Sequence, residues 1–203
     1  FFFFTMAKKY HNKYRITSAR LKNWDYASCA AYFITICTAN REHFLGQIIG
    51  GKMNLSVLGS VVEQEWIKTI EIRPDMNLSL GDYVVMPNHF HGIIFIGANE
   101  FNTNGNSPVI GNYCSDAMHG VATINGVFTK NKNTFGPQSK NLASIMRGFK
   151  SAVTTFARKN DLPFDWQPRF HDHIIRNEIE YNRISNYIIN NPSKWNEDKF
   201  NGK

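Results

Sequence analysis

The chain has 203 residues, of which 42% are hydrophobic, 14% aromatic and 19% charged. That mixture suits one compact globular domain, or one domain carrying a long insertion, and excludes a collagen-like, mucin-like or wholly disordered polymer. Lysine and arginine number 23 against 16 acids, a formal charge of +7, which favours a polyanionic partner: nucleic acid first, an anionic membrane surface second.

No run approaches the roughly 18 consecutive apolar residues of a membrane span. Three cysteines, Cys29, Cys37 and Cys114, form no CxxC pair, so neither a disulfide framework nor a zinc ribbon is indicated and a reducing cytoplasm fits. The opening Phe1-Phe-Phe-Phe-Thr5 lacks the basic region and small-residue cleavage site of a signal peptide. Met6 is read as the natural start.

Residues 1–22 read as a basic N-terminal arm and 23–203 as one domain. Lys8, Lys9, Lys13, Arg15, Arg20 and Lys22 make the arm a surface segment, with a solvated tail as the plain alternative. A β-rich run at 31–37 is followed by a turn-rich stretch and a second possible strand near 44–49. From about 54 to 70, Leu55, Leu58, Val62, Trp66 and Ile70 recur at three- and four-residue steps, the pattern of an amphipathic helix. Two further strands, 80–86 and 89–96, flank Pro87-Asn88 as an antiparallel hairpin. Residues 97–139, dense in Asn and Gly, break the periodicity and read as an inserted loop, with a local hairpin signal at Asn125-Gly126.

Leu142, Met146, Phe149, Val153 and Phe156 mark a second helix whose other face carries Lys140, Arg147, Lys150, Arg158 and Lys159, either a nucleic-acid contact or an ordinary solvated face. Asp165-Trp-Gln-Pro-Arg169 connects to a short strand at 170–175. The final helix, 178–191, has an apolar stripe of Tyr181, Ile184 and Ile188 and ends at Pro192. This order predicts an α+β sandwich, with helices on one side of an antiparallel sheet.

His89-Phe-His91 is the most informative triplet. A strand sends alternate side chains to one face, so both imidazoles point together as a bidentate metal platform while Phe90 points away. The plain alternative is two histidines on a half-exposed strand; their position at the head of an apolar strand favours a site. His171-Asp-His173 has the same geometry without an inward anchor like Phe90, and Cys114 with His119 has no second half. Tyr187 and Asn191 lie one turn apart on the last helix at the edge of its apolar stripe. The amide of Asn191 suits a third ligand, with the phenol beside whatever a metal polarises; packing and helix termination are the ordinary roles of these residues.

Three segments, Val84-Val-Met-Pro-Asn-His-Phe-His-Gly-Ile-Ile94, Trp166-Gln-Pro-Arg169 and Tyr181-Asn-Arg-Ile-Ser-Asn-Tyr-Ile-Ile-Asn-Asn-Pro192, resemble the IS200-like transposases, specifically the REP-associated tyrosine transposases. Gly148-Phe-Lys-Ser151 is similar to the family's penultimate helix. The resemblance runs from about Arg15 to Trp195 outside the insertion, which is long for the family.

It implies a ferredoxin/RRM-like HUH nuclease fold, with His89, His91 and Asn191 holding Mg2+ or Mn2+. Tyr187 would be the nucleophile that forms a 5′-phosphotyrosine, and His173 a supporting residue. The implied substrate is single-stranded DNA hairpins of the REP type in the bacterial cytoplasm, at the nucleoid, acted on by a monomer or homodimer. Arg15, Arg20, Lys22, Lys150 and Arg169 are the DNA-contact candidates. A non-catalytic single-strand-binding regulator on the same scaffold is the competing expectation.

Overall fold

Alternation along two central strands decides the architecture. A computed structural model describes residues 20–21, 24–102 and 139–201, together with the backbone of two short paired strands, β1 (Lys9–Tyr10) and β2 (Lys13–Tyr14). The elements that follow are β3 (Ala30–Cys37), a hairpin of β4 (Gly46–Ile49) and β5 (Lys52–Leu55), α1 (Val57–Glu71), β6 (Leu78–Met86), β7 (His89–Ile96), α2 (Leu142–Lys159), β8 (His171–Ile175) and α3 (Glu178–Asn190). The main sheet has the order β6-β7-β3-β8, and every neighbouring pair is antiparallel. Strands β3, β6, β7 and β8 with α1 and α2 trace the split β-α-β-β-α-β pattern.

Nearly every residue of β3 and β7 is buried, because the sheet is covered on both faces. On one face Tyr32, Ile34, Ile36, Phe90 and Ile94 meet Val62 and Trp66 of α1 and Met146, Phe149 and Val153 of α2. On the other, Ala31, Ile93 and Ile175 meet Ile184 and Ile188 of α3. The expectation of helices on one side therefore holds for α1 and α2 and fails for α3. An apolar strand does not reveal which of its faces a given helix will cover, and here the residues of the second face are apolar enough to take a helix of their own.

Local chemistry moves two boundaries. Leu55 belongs to β5, since Ser56 caps α1 by accepting from the Gly59 amide, while its hydroxyl donates to the Phe44 carbonyl at 2.7 Å. Lys140 precedes α2, whose N-cap is Asn141 in a reciprocal capping box with Ser144, and pairs with Asp75 instead of lying on the helix. Pro192 ends α3 as expected, and the chain continues in a 3-10 turn, Pro192–Glu197, that buries Trp195.

The insertion is anchored at its start, where Asn102 donates to the Ala27 carbonyl and Asn99 to those of Met76 and Gly97. Residues 103–138, including the hairpin signal at Asn125-Gly126, lie outside the described residues. Cys37 carries a free thiol. Among the described residues no helix is long and apolar enough to cross a membrane.

Gly92 marks the tightest point of the core. A Cβ there would lie 2.8 Å from the Trp66 ring and 2.9 Å from the Phe90 ring, so the indole packs directly on the strand backbone beneath the histidines. Gly92→Val adds a strand-favouring residue yet is expected to destabilise the fold by about 1–3 kcal/mol through overpacking, read as a lower denaturation midpoint with unchanged slope in urea.

Candidate active site

The two histidines open β7 and face α3. Asn88, in the turn before them and 1% exposed, fixes the first. Its amide nitrogen donates to the carbonyls of Arg41 at 3.1 Å and Phe200 at 2.7 Å, which leaves its oxygen to face His89 Nδ1 at 2.9 Å. An acceptor there means that Nδ1 carries the proton and Nε2 a lone pair. That Nε2 is buried and makes no hydrogen bond. His91 is held from the neighbouring strand, its Nδ1 lying 2.8 Å from Thr35 Oγ1.

Helix α3 brings the tyrosine to this pair. Asn177 caps its first turn by accepting from the Glu180 amide, Ile184 and Ile188 bury its inner face, and Ser185 donates to Asp82 of β6. The Tyr187 hydroxyl then lies 3.2 Å from His91 Nε2, with the His91 and Tyr187 rings 5.3 Å apart. Phe33 packs against both, 5.2 Å from the imidazole and 6.3 Å from the phenol. Tyr187 is 41% exposed, so its ring is reachable from solvent while its hydroxyl sits over a buried histidine. Asn191, one turn on, is buried, and its Oδ1 has no hydrogen-bond partner.

Burial keeps both imidazoles neutral. It is the main force pushing His89 well below the ordinary histidine value, aided by His91, Arg41 and Lys199, and it lowers His91 to about 3, aided by Lys199. The Tyr187 phenol is raised by burial and by Asp198, against the opposing hydrogen bond from Asn191. Above the site lies a cleft of about 760 Å³, lined among others by Phe33, His91, Arg169, His173, Arg183 and Tyr187. The C-terminal segment closes one side of it, with the Phe200 ring 4.6 Å from His89 and under the Arg41 guanidinium.

Other candidates from the sequence fall in different places. Arg169 lines the cleft, in a left-handed backbone conformation at φ 71°. Lys150 does not face it: the ammonium donates to the carbonyls of Gln167 at 2.7 Å and Arg169 at 2.9 Å, so it braces the connector that carries Arg169. Arg20 pairs with Asp172 at 3.6 Å and lies over the Phe170 and Tyr26 rings. Arg15 and Lys22 lie outside the described residues. His171 and His173 both line the cleft, but His173 is engaged by Glu180 at 2.7 Å. Three residues of the site went unread in sequence: Thr35, Asn88 as more than a turn residue, and Arg183. The last was findable, since it stands one helical turn before Tyr187.

The donor chemistry fits a divalent cation. Two neutral imidazoles and an amide oxygen are present, and His89 Nε2 and Asn191 Oδ1 are buried polar atoms without a partner, a costly condition that a bound cation would relieve. Among the described residues no three His, Cys, Asp or Glu side chains come together, so such a site requires the Asn191 amide.

With this geometry established, comparison with known proteins places the fold. A solved structure of a REP-associated tyrosine transposase bound to a REP hairpin superposes with a TM-score of 0.54 at 20% identity, covering 91% of this chain and 77% of that one. The antiparallel sheet with packed helices is thus a fold shared with that structure. By sequence, the chain is 38% identical over 183 residues to an uncharacterized protein of Haemophilus influenzae, covering 90% of this chain and 91% of the relative. The chain belongs to the same family as that Haemophilus influenzae protein. No protein-family model matches it.

Two outcomes are expected from these contacts. Asn88→Ala leaves the Arg41 and Phe200 carbonyls and the His89 Nδ1 proton unpaired, costs about 1–3 kcal/mol per buried group at most, and speeds hydrogen exchange at the C-terminal residues before the rest of the chain. Glu180, although burial raises it, is lowered overall by hydrogen bonds from the Arg176 amide and His173. A depressed carboxylate stabilises the native state above its ordinary value and loses that contribution as the pH falls through its native one. Glu180→Gln should therefore cost up to about 1 kcal/mol at pH 7, in keeping with a partly exposed pair, and progressively less below about pH 4.5, read as the difference in Tm between variant and parent at the two pH values.

Proposed function

We propose that this chain is a single-stranded DNA nuclease and strand transferase that acts on hairpin DNA through a covalent 5′-phosphotyrosine at Tyr187. The observation that carries the reading is the approach of the Tyr187 hydroxyl to within 3.2 Å of His91, beside a second buried, neutral histidine. Phosphoryl transfer needs little beyond a positioned nucleophile and stabilised charge, and this site supplies a phenol set over His91 and an aromatic cleft that carries Arg169 and Arg183.

In the transfer step the phenolic oxygen forms a bond to phosphorus and the bond to the 3′ oxygen breaks. The phenolic proton passes to water, and the leaving 3′ oxygen takes one up as a hydroxyl. The new phosphodiester retains the energy of the old, so a 3′-hydroxyl can reverse the step without ATP. The phenol's raised pKa sets the requirement for deprotonation help at neutral pH. His89, His91 and Asn191 would hold Mg2+ or Mn2+, which when bound supplies electrostatic stabilisation of the phosphoryl oxygens. Thr35 and Asn88 hold the imidazoles in place for that role.

Phe33 and Phe170 offer stacking surfaces, and Arg169 and Arg183 positive charge, along the same cleft, an arrangement that suits an unpaired strand. The transposase of like fold binds a REP hairpin, which supports a hairpin of that kind as the substrate here. Histidines and tyrosine come from one chain, so a monomer suffices for the chemistry. A DNA substrate places the protein in the bacterial cytoplasm at the nucleoid.

The test is a covalent adduct. Hairpin DNA with a single-stranded flank, incubated with the protein and Mn2+, should give a denaturation-resistant protein–DNA species that Tyr187→Phe and chelation each abolish and that His91→Ala reduces at least a hundredfold. Hairpins from the host genome that bind tightly yet give no adduct would sink the catalytic reading and leave a binding protein.

A further inference from the structure

A second basic cavity lies away from the tyrosine, between the end of α1 and the first half of α2. This is the helical layer on the face of the sheet opposite α3. It measures about 480 Å³ and is lined by Arg73, Lys140 and Arg147, with Ser139, Ser144 and Ser151 adding hydroxyls.

Arg73 is its centre. The side chain is half-buried, and among the described residues its guanidinium makes no hydrogen bond, a poor condition for five donors. Asp75, the acid whose charge acts on it, is already paired with Lys140. The helix opposite is shaped around this group. Gly148 sits inside α2, where glycine is a poor helix former, and a Cβ there would fall 2.1 Å from an Arg73 guanidinium nitrogen. The glycine keeps the place of the arginine open.

We infer that this cavity is a second anion site that takes backbone phosphates of the bound DNA outside the cleaved linkage. Guanidinium forks match phosphate oxygens in pairs, and the volume admits a stretch of sugar-phosphate chain rather than one ion. Because it lies on the other face of the sheet from Tyr187, it holds flanking DNA and contributes affinity rather than chemistry. The inference rests on the hairpin-DNA reading above.

The experiment is fluorescence anisotropy of a labelled hairpin with the full chain, titrated at several salt concentrations between about 50 and 200 mM. Arg73→Gln and Arg147→Gln are each expected to weaken binding about three- to tenfold and to reduce the slope of log K against log salt by about one, uniformly across hairpin sequences. Gly148→Ala removes no charge and improves helix propensity, but its Cβ displaces the guanidinium, so it should weaken binding without lowering Tm. This variant guards against loss of fold in the arginine substitutions. If all three variants bind as the parent does, the second site is overturned while the tyrosine chemistry, read by the adduct, stands. If the parent binds no hairpin at all, both readings fall together.

Discussion

Everything at the cleft depends on one docking contact, that of α3 across the sheet face opposite α1 and α2. Ile184 and Ile188 are buried against Ile93 and Ile175, and Ser185 is tied to Asp82, so the helix can neither roll nor slide without exposing apolar surface and breaking a partly buried hydrogen bond. Rotation of the helix by a single residue, about 100°, would carry the phenol off the imidazole. The placement of the Tyr187 hydroxyl is thus a by-product of ordinary core packing. The polar contact with His91 refines it.

The electrostatics follow from the same burial. Imidazoles removed from water beside Arg41 and Lys199 stay unprotonated, and for His89 the Asn88 contact leaves the lone pair on Nε2. Arg169, Arg183 and Lys199 line the cleft together with Glu197 and Asp198, so its wall carries both signs of charge, while the neutral, buried imidazole of His91 lies at its floor.

Much of this was legible in the sequence, and the limits are physical. The His-Phe-His alternation could be read because a strand's period is fixed, and the one-turn step from Tyr187 to Asn191 because a helix's period is fixed as well. The two histidines occupy the predicted strand, and Tyr187 lies in the predicted helix with Asn191 as its C-cap. Which sheet face α3 would choose was not legible, since β3 and β7 are apolar on both. Nor was the role of Lys150, whose partners are main-chain carbonyls some twenty residues on that any sequence would supply. Asn88 was visible only as a turn former. Besides its neighbour His89, its partners Arg41 and Phe200 come from segments that meet only in the folded chain.

The two feet of the long insertion stand together at the far end of the sheet from His89. One foot ties Asn102 to the Ala27 carbonyl, and the other ties the Leu142 amide to the Tyr26 carbonyl, just before β3 begins. A segment grafted between such neighbouring anchors can lengthen, shorten or change composition across relatives without altering the register of β7 or the placement of α3. Evolution is thereby given a site for novelty that is mechanically insulated from the contact between His91 and Tyr187.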